Sequence, residues 1–247
     1  MDSASYVLIV AGSDPSGFAG LQADLKTVAA HNIHGATVVT ALTVGNSRGV
    51  SDIQTVSADF VFAQLQAVLS DLGSGIVKTG VLPNAGIIHV LKKALDEVSP
   101  LALVADPVLV TKTGDRIADD SAVSSWKTLV PKATLVTPSA SEAALLTSMP
   151  VRYLKDAERA GLALCELGAQ AVLIKGRELQ EMPEMVTDVF CTCQGCQHLS
   201  APREPAHRNG TGDSLASAIA ANLAKGISLE NAIQLGQTYV RHLLRHR

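Results

Sequence analysis

At 247 residues, the chain is long enough for one large domain, although about 100–200 residues per domain also admits two. It is 47% hydrophobic and only 3% aromatic, so its core must be built from Val, Ile, Leu and Ala, which suits strands covered on both faces by helices. A net charge of −3 removes the electrostatic case for a nucleic-acid partner, and no stretch approaches about 18 consecutive apolar residues, so no membrane span is expected.

The opening segment MDSASYVLIVAG lacks a basic start and a cleavage site and reads as a first strand, over residues 6–12. A Gly/Ser/Asp loop over 12–20 leads into a helix from Leu21 to Ala30. The β-branched run 36–44 predicts a second strand. Phe62, Leu65, Leu69 and Leu72 recur at three and four, which predicts an amphipathic helix over 58–72. Strands follow at 75–82 and 101–110, with a helix from Ile87 to Val98 between them. A helix over Ser121–Leu129, a strand over 134–139 and a helix from Ser141 to Thr147 come next. A further helix, Asp156 to Leu167, stops at Gly168, and 171–176 is a strand. VTDVFCT and QHLSAP flank Cys193-Gln194-Gly195-Cys196 as a hairpin. Two helices, Gly212–Lys225 and Leu229–Leu244, close the chain.

This alternation predicts a mostly parallel sheet with helices on both faces, in one domain over 1–247. Ligands bind beyond the carboxyl ends of such strands. The polar residues Asp14, Asn46, Lys78, Asp106, Glu142 and Lys175 fall at those ends.

No GxxxxGK[ST] loop is present, and no GxGxxG follows a strand, which sets aside P-loop proteins and ordinary dinucleotide binders. HExxH and GxSxG are absent as well. Asn209-Gly210-Thr211-Gly212-Asp213 stands out instead, because a helix of small residues begins there. Backbone N–H groups at a helix N-terminus form a pocket for negative charge. A carboxylate inside such a pocket makes chemical sense where a proton must leave while a transferred phosphate is stabilised. The simpler alternative is a glycine turn whose Asp213 caps the helix. A second cluster, AGSDPSGFAGLQADLKT over 11–27, brings Gly12, Gly17 and Gly20 together with Asp14 and Asp24. Asp14 as a turn residue and Asp24 on a solvated helix face is the alternative there.

These two motifs occur with TALTVGN (40–46), KTGVL (78–82), ADPVLVTKTGD (105–115), VTPSASEA (136–143) and LIKG (173–176). Their order resembles that of the hydroxymethylpyrimidine/phosphomethylpyrimidine kinases of thiamine synthesis, in the ribokinase-like superfamily, over essentially the whole chain. The resemblance implies a three-layer α/β/α kinase fold with a mostly parallel sheet and no large lid domain. It implies ATP as donor, Mg²⁺, and a hydroxymethyl group on a heteroaromatic ring as acceptor, in a homodimer. By that similarity Asp213 is the catalytic base, with Gly210, Thr211 and Gly212 as the anion hole. Asp106 and Glu142 lie near Mg²⁺, while Lys175 and Thr211 attend the nucleotide. Gly12 and Asp24 line the pyrimidine pocket, together with the positions of Gly45 and Val81.

The chain departs from the family pattern in four places. The usual HGTGC is NGTGD, the glutamine of TALTxQN is Gly45, a methionine is Val81, and the asparagine of TPN is Ser139. Aspartate at position 213 is the rule in ribokinases and many pyridoxal kinases. A pyridoxal or pyridoxine kinase is therefore the nearest rival reading, and a non-catalytic binder of thiamine precursors is a rival of another class.

Cys165, Cys191, Cys193 and Cys196 are too few for a disulfide scaffold, and a reducing, cytoplasmic compartment is expected. Cys191, Cys193, Cys196 and His198 have the number and softness of zinc ligands, but a hairpin turn at that place fits incidental thiols. His31, His34, His207, His242 and His246 are scattered. His207 precedes the glycine loop and reads as a solvated loop residue, and RHLLRHR reads as a basic helix end.

Overall fold

The computed structural model describes residues 6–46, 49–110, 117–180, 183–205 and 209–245. Its centre is a nine-stranded sheet in the order β3-β2-β1-β4-β5-β6-β7-β8-β9. β1 (Tyr6–Ser13), β2 (His34–Asn46), β4 (Ile76–Thr79), β5 (Ala102–Ala105), β6 (Leu135–Val136) and β7 (Val172–Ile174) run parallel. β3 (Gly49–Thr55) folds back antiparallel on β2 at one edge, and β8 (Met185–Thr192) and β9 (Gly195–Pro202) form an antiparallel hairpin at the other.

Strand alternation sorts the core into two layers. Tyr6, Leu8 and Val10 of β1 pack with α2 (Ala58–Leu72), α3 (Ala85–Val98), α4 (Asp120–Leu129), α5 (Ala140–Thr147) and α6 (Leu154–Glu166). Val7, Ile9 and Ala11 face α1 (Gly20–Ala30), α7 (Thr211–Ala224) and α8 (Leu229–Arg245). The result is a three-layer α/β/α fold. Among the described residues no helix is long and apolar enough to cross a membrane.

Local signals explain most element boundaries. Ser57, Asn84 and Asp119 cap α2, α3 and α4 by accepting from the Phe60, Ile87 and Ala122 N–H groups. Ser139 and Glu142 form a reciprocal capping box on α5. The observed strands are shorter than the apolar runs 75–82, 101–110 and 134–139. Many of the residues that follow their carboxyl ends, such as Leu82, Leu109 and Thr137, stay buried in loops, and periodicity alone does not separate the two. β3 is absent from the sequence reading, because GVSDIQT is largely exposed and has no buried face to betray it.

Candidate active site

The chain reverses direction across the sheet between β1 and β4, which lie side by side although β2, β3 and two helices' worth of chain separate them. Loops at the carboxyl ends of such strands are where α/β folds bind ligands. Two glycine-containing segments meet there.

The first follows β1. The Asp14 carboxylate accepts hydrogen bonds from the N–H groups of Ser16 (2.9 Å), Phe18 (3.1 Å) and Ala19 (2.9 Å) and from the Ser16 hydroxyl (2.7 Å). Burial alone would raise Asp14, but these donors outweigh it and hold the carboxyl below the usual range. The turn reading of Asp14 thus describes its role: it folds residues 14–19 into a fixed loop. Gln22 ties that loop to β1 by accepting from the Asp14 N–H and donating to the Ser13 hydroxyl.

The second segment opens α7. Gly210 is its N-cap, in the left-handed region at φ +72°. A Cβ there would lie 1.9 Å from the Phe18 carbonyl oxygen, so the loop after β1 rests directly against the glycine turn. Thr211, Gly212 and Asp213 follow as the first turn of the helix, whose leading N–H groups have no partners within the helix.

Asp213 is 13% exposed and its Oδ1 lies 3.4 Å from Lys78 Nζ. Lys78 is fully buried on β4 and contacts both oxygens of the fully buried Asp24, at 2.7 and 2.8 Å. Ser217 donates to the same carboxylate at 2.7 Å. Burial would pull the Lys78 ammonium down, but Asp24, Asp213 and Asp106 together hold it above the ordinary lysine range. Burial likewise lifts the Asp24 carboxyl. Asp213 adds to that lift, while two contacts from one ammonium and a third from a hydroxyl oppose it. Asp24 therefore faces Lys78 and Ser217 in the interior, which overturns the solvated-helix-face alternative for it.

Asp106, Lys175 and Glu142 form the other polar group. Lys175 Nζ lies 2.9 Å from Asp106 Oδ1 and 3.6 Å from Glu142 Oε2. Thr137 donates to Asp106 Oδ1 at 2.8 Å, whereas Asp106 Oδ2 is buried and has no hydrogen-bond partner among the described residues. Glu142 accepts from the Ser139 N–H at 2.7 Å. Burial is the main cause that lifts its carboxyl to about 7, with Lys175 pulling it down and Asp106 pushing it up. A Cβ on Gly212 would sit 3.2 Å from Lys175 Nζ, so this ammonium lies beside the first turn of α7. Asp213, Gly210, Thr211, Gly212, Lys175, Asp106 and Glu142 thus converge on one end of the sheet.

Gly12 is buried, and a Cβ on it would be 3.6 Å from the Val81 Cβ, so these two positions adjoin. Gly45 lies farther out, where β2 has passed the end of β1 and pairs with β3 alone. Ser217 was not singled out in the sequence. Its spacing of four from Asp213 was the available signal, since it puts both side chains on one helix face.

The cysteines depart from the all-thiol expectation. Cys191 and Cys196 sit directly opposite each other in the β8–β9 ladder, with Cα atoms 4.1 Å apart, and are joined as a disulfide. Two of the four supposed zinc ligands are therefore not thiolates, and His198 Nε2 contacts Glu158 at 2.7 Å. Among the described residues no group of three or more His, Cys, Asp or Glu is arranged to hold a metal. His31 bonds the Thr27 carbonyl and packs edge-on against Tyr239. His207, His246 and residues 111–115 of the ADPVLVTKTGD motif lie outside the described residues.

A three-layer sheet that gathers a helix N-terminus, an adjoining carboxylate and an acid–lysine–acid cluster at its carboxyl end defines the architecture of a ribokinase-like small-molecule kinase. Residues 14–247 match the family model described as phosphomethylpyrimidine kinase, and the chain belongs to that family. It is 40% identical over 244 residues to a probable thiamine biosynthetic bifunctional enzyme, chloroplastic, of Oryza sativa subsp. japonica. That match covers 98% of this chain but 44% of the rice protein, so the chain spans about half the length of that relative. It is 41% identical over 239 residues to the hydroxymethylpyrimidine/phosphomethylpyrimidine kinase of Streptomyces coelicolor, covering 95% of this chain and 86% of the other. Among solved structures, the pyridoxal kinase from Staphylococcus aureus in complex with pyridoxal superposes with a TM-score of 0.89. It shares 30% identity, over 98% of this chain and 88% of that one.

Proposed function

We propose that this protein, as one kinase domain, transfers the terminal phosphoryl group of ATP to 4-amino-5-hydroxymethyl-2-methylpyrimidine, to its monophosphate, or to both in turn. The observation that carries this reading is the convergence of Asp213, the glycine turn at Gly210–Gly212 and Lys175 at one end of the sheet. Phosphoryl transfer is mainly positioning and charge neutralisation. In this reading Asp213 orients the substrate hydroxyl and accepts its proton as the bond to phosphorus forms. The N–H groups from Gly210 to Asp213 offset charge on the phosphoryl oxygens, and Lys175 adds a point charge beside them. Gly12 and Val81 border the acceptor.

The donor set fits Mg²⁺. Asp106 Oδ2 is an orphaned, buried acceptor, and Glu142 supplies a second carboxylate across Lys175. Asp106 and Glu142 would hold the ion, which when bound neutralises phosphate charge.

The test is ATP consumption with Mg²⁺ against the hydroxymethylpyrimidine, its monophosphate, pyridoxal and pyridoxine. Turnover on the pyrimidines is the expected result. Turnover on pyridoxal alone would establish the rival reading, which Asp213, Gly45 and the likeness to the Staphylococcus aureus enzyme favour. Ligand binding without turnover on any of the four would leave a non-catalytic binder.

Gly45→Gln restores the amide that the family pattern carries. A Cβ at 45 lies 3.0 Å from the Gly49 carbonyl oxygen, so the bulge between β2 and β3 must give by a few tenths of an ångström. The variant is expected to lower KM for the pyrimidine about fivefold, since one recovered hydrogen bond is worth about 1 kcal/mol. An unchanged or higher KM would point to a different acceptor.

We also infer that two copies meet through the β2–β3 edge. Leu42 (48% exposed), at the last pair with β1, and Val44 (60% exposed), beyond it, alternate onto one face of β2 beside an edge strand. Replacing Leu42 by Asp and Val44 by Lys together is expected to shift the light-scattering mass from two chains to one. A wild-type mass of one chain would sink the inference.

A further inference from the structure

Lys78 stands where the fold offers every reason for an apolar residue. It alternates with Ile76 on the β4 face that packs under α7, and its sheet neighbours Ile9 and Val104 belong to the same apolar layer. Replacing a buried ion pair by packed apolar side chains is often neutral or stabilising, so such a pair is weak evidence for stability alone. What distinguishes this one is where it leads. Asp213 and Ser217 lie four residues apart on one face of α7. Asp213 contacts the Lys78 ammonium at 3.4 Å, that ammonium grips Asp24 of α1, and Asp24 accepts from Ser217. The contacts run from α7 to β4 to α1 and back to α7 as a closed ring. Within the ring, Asp213 is the member that retains exposure.

We propose that Lys78 and Asp24 are positioning residues for the phosphoryl-transfer step. They hold one oxygen of the Asp213 carboxylate from behind, so that the other is presented to the acceptor hydroxyl, and Ser217 sets the orientation of Asp24. The role rests on the reading of Asp213 as the base. It moves Asp24 from the pyrimidine pocket to the support of the catalytic carboxylate.

Lys78→Met alone strands Asp24 as a buried charge and is expected to destabilise the fold. The informative variant is the neutral pair Lys78→Met with Asp24→Asn, which removes both charges together. It is measured with saturating ATP and hydroxymethylpyrimidine, both in the wild-type protein and in the Asp213→Asn background. On the wild-type background kcat is expected to fall about 30-fold or more. KM for each substrate should stay within twofold, and Tm should return close to wild type. On the Asp213→Asn background the same pair should lower kcat less than threefold, because its target is already gone.

Equal losses on both backgrounds would overturn the role, as would kcat within threefold of wild type. A raised pyrimidine KM at unchanged kcat would return Asp24 to the pocket and overturn it too. If the neutral pair does not fold, Ser217→Ala supplies the same comparison with no charge altered. Its expected effect is a several-fold loss of kcat on the wild-type background and none on Asp213→Asn, and equal effects would overturn the role. Full activity of Asp213→Asn itself would instead remove the base assignment on which the role rests.

Discussion

Asp213→Asn is expected to lower kcat about 10³-fold while ATP and the pyrimidine still bind. A positioned general base contributes about 10²–10⁴-fold. The amide keeps the shape of the carboxylate but cannot take the proton of the attacking hydroxyl. The fold should tolerate the change, because Lys78 retains both of its contacts to Asp24 and loses only the longer one at 3.4 Å. Steady-state kinetics with calorimetric binding of ATP separates the two effects. A kcat within fivefold of wild type would refute the base assignment, whereas loss of binding together with kcat would mean that the substitution had disturbed the pocket itself.

Gly210→Ala is expected to damage stability and activity together. At φ +72° any side chain is strained, and the new Cβ would overlap the Phe18 carbonyl oxygen at 1.9 Å and its carbon at 2.8 Å. Both obstacles are backbone. They cannot swing aside, because the Asp14 carboxylate pins the loop through the Ser16, Phe18 and Ala19 N–H groups. Strain of about 3 kcal/mol is a reasonable scale for such a position, and for a chain of this size each kcal/mol moves Tm by about 2–4 °C. A fall of about 6–12 °C is therefore expected, with kcat/KM down at least 100-fold as the leading N–H groups of α7 are displaced. Gly212→Ala is the control. Its Cβ would meet only the tip of Lys175, at 3.2 Å, which a flexible side chain can relieve. Its Tm should stay near wild type. Equal Tm losses for the two variants would show that the Phe18 contact does not govern this turn.

The parallel strands and most helices were legible because burial on both faces leaves long aliphatic runs in the strands and burial on one face leaves apolar residues at helical spacing in the helices. The convergence of Asp106, Glu142 and Lys175 was legible for a topological reason: residues that follow parallel strands must emerge at one end of the sheet. The pairing of Asp24 was not legible because a lone aspartate in a helix carries no mark of its partner, and Lys78 lies 54 residues away. Ser217 was hidden in a run of small residues whose packing looks generic. The Cys191–Cys196 bond escaped notice because it depends on the register of β8 against β9, which a turn motif does not fix to the residue.

The ring that links α1, β4 and α7 also sets a clock. Its members are separated by 54, 135 and 193 residues, and the two longer contacts, made by Asp213 and Ser217, cannot form until α7 is available. Lys78 and Asp24 are translated long before Asp213 and Ser217, and domains gain structure as the chain is made. A ribosome-bound fragment ending before residue 209 would hold the acid–lysine–acid cluster but not Asp213. On the proposed role of Asp213, competence for transfer then waits for a single late event, the docking of α7.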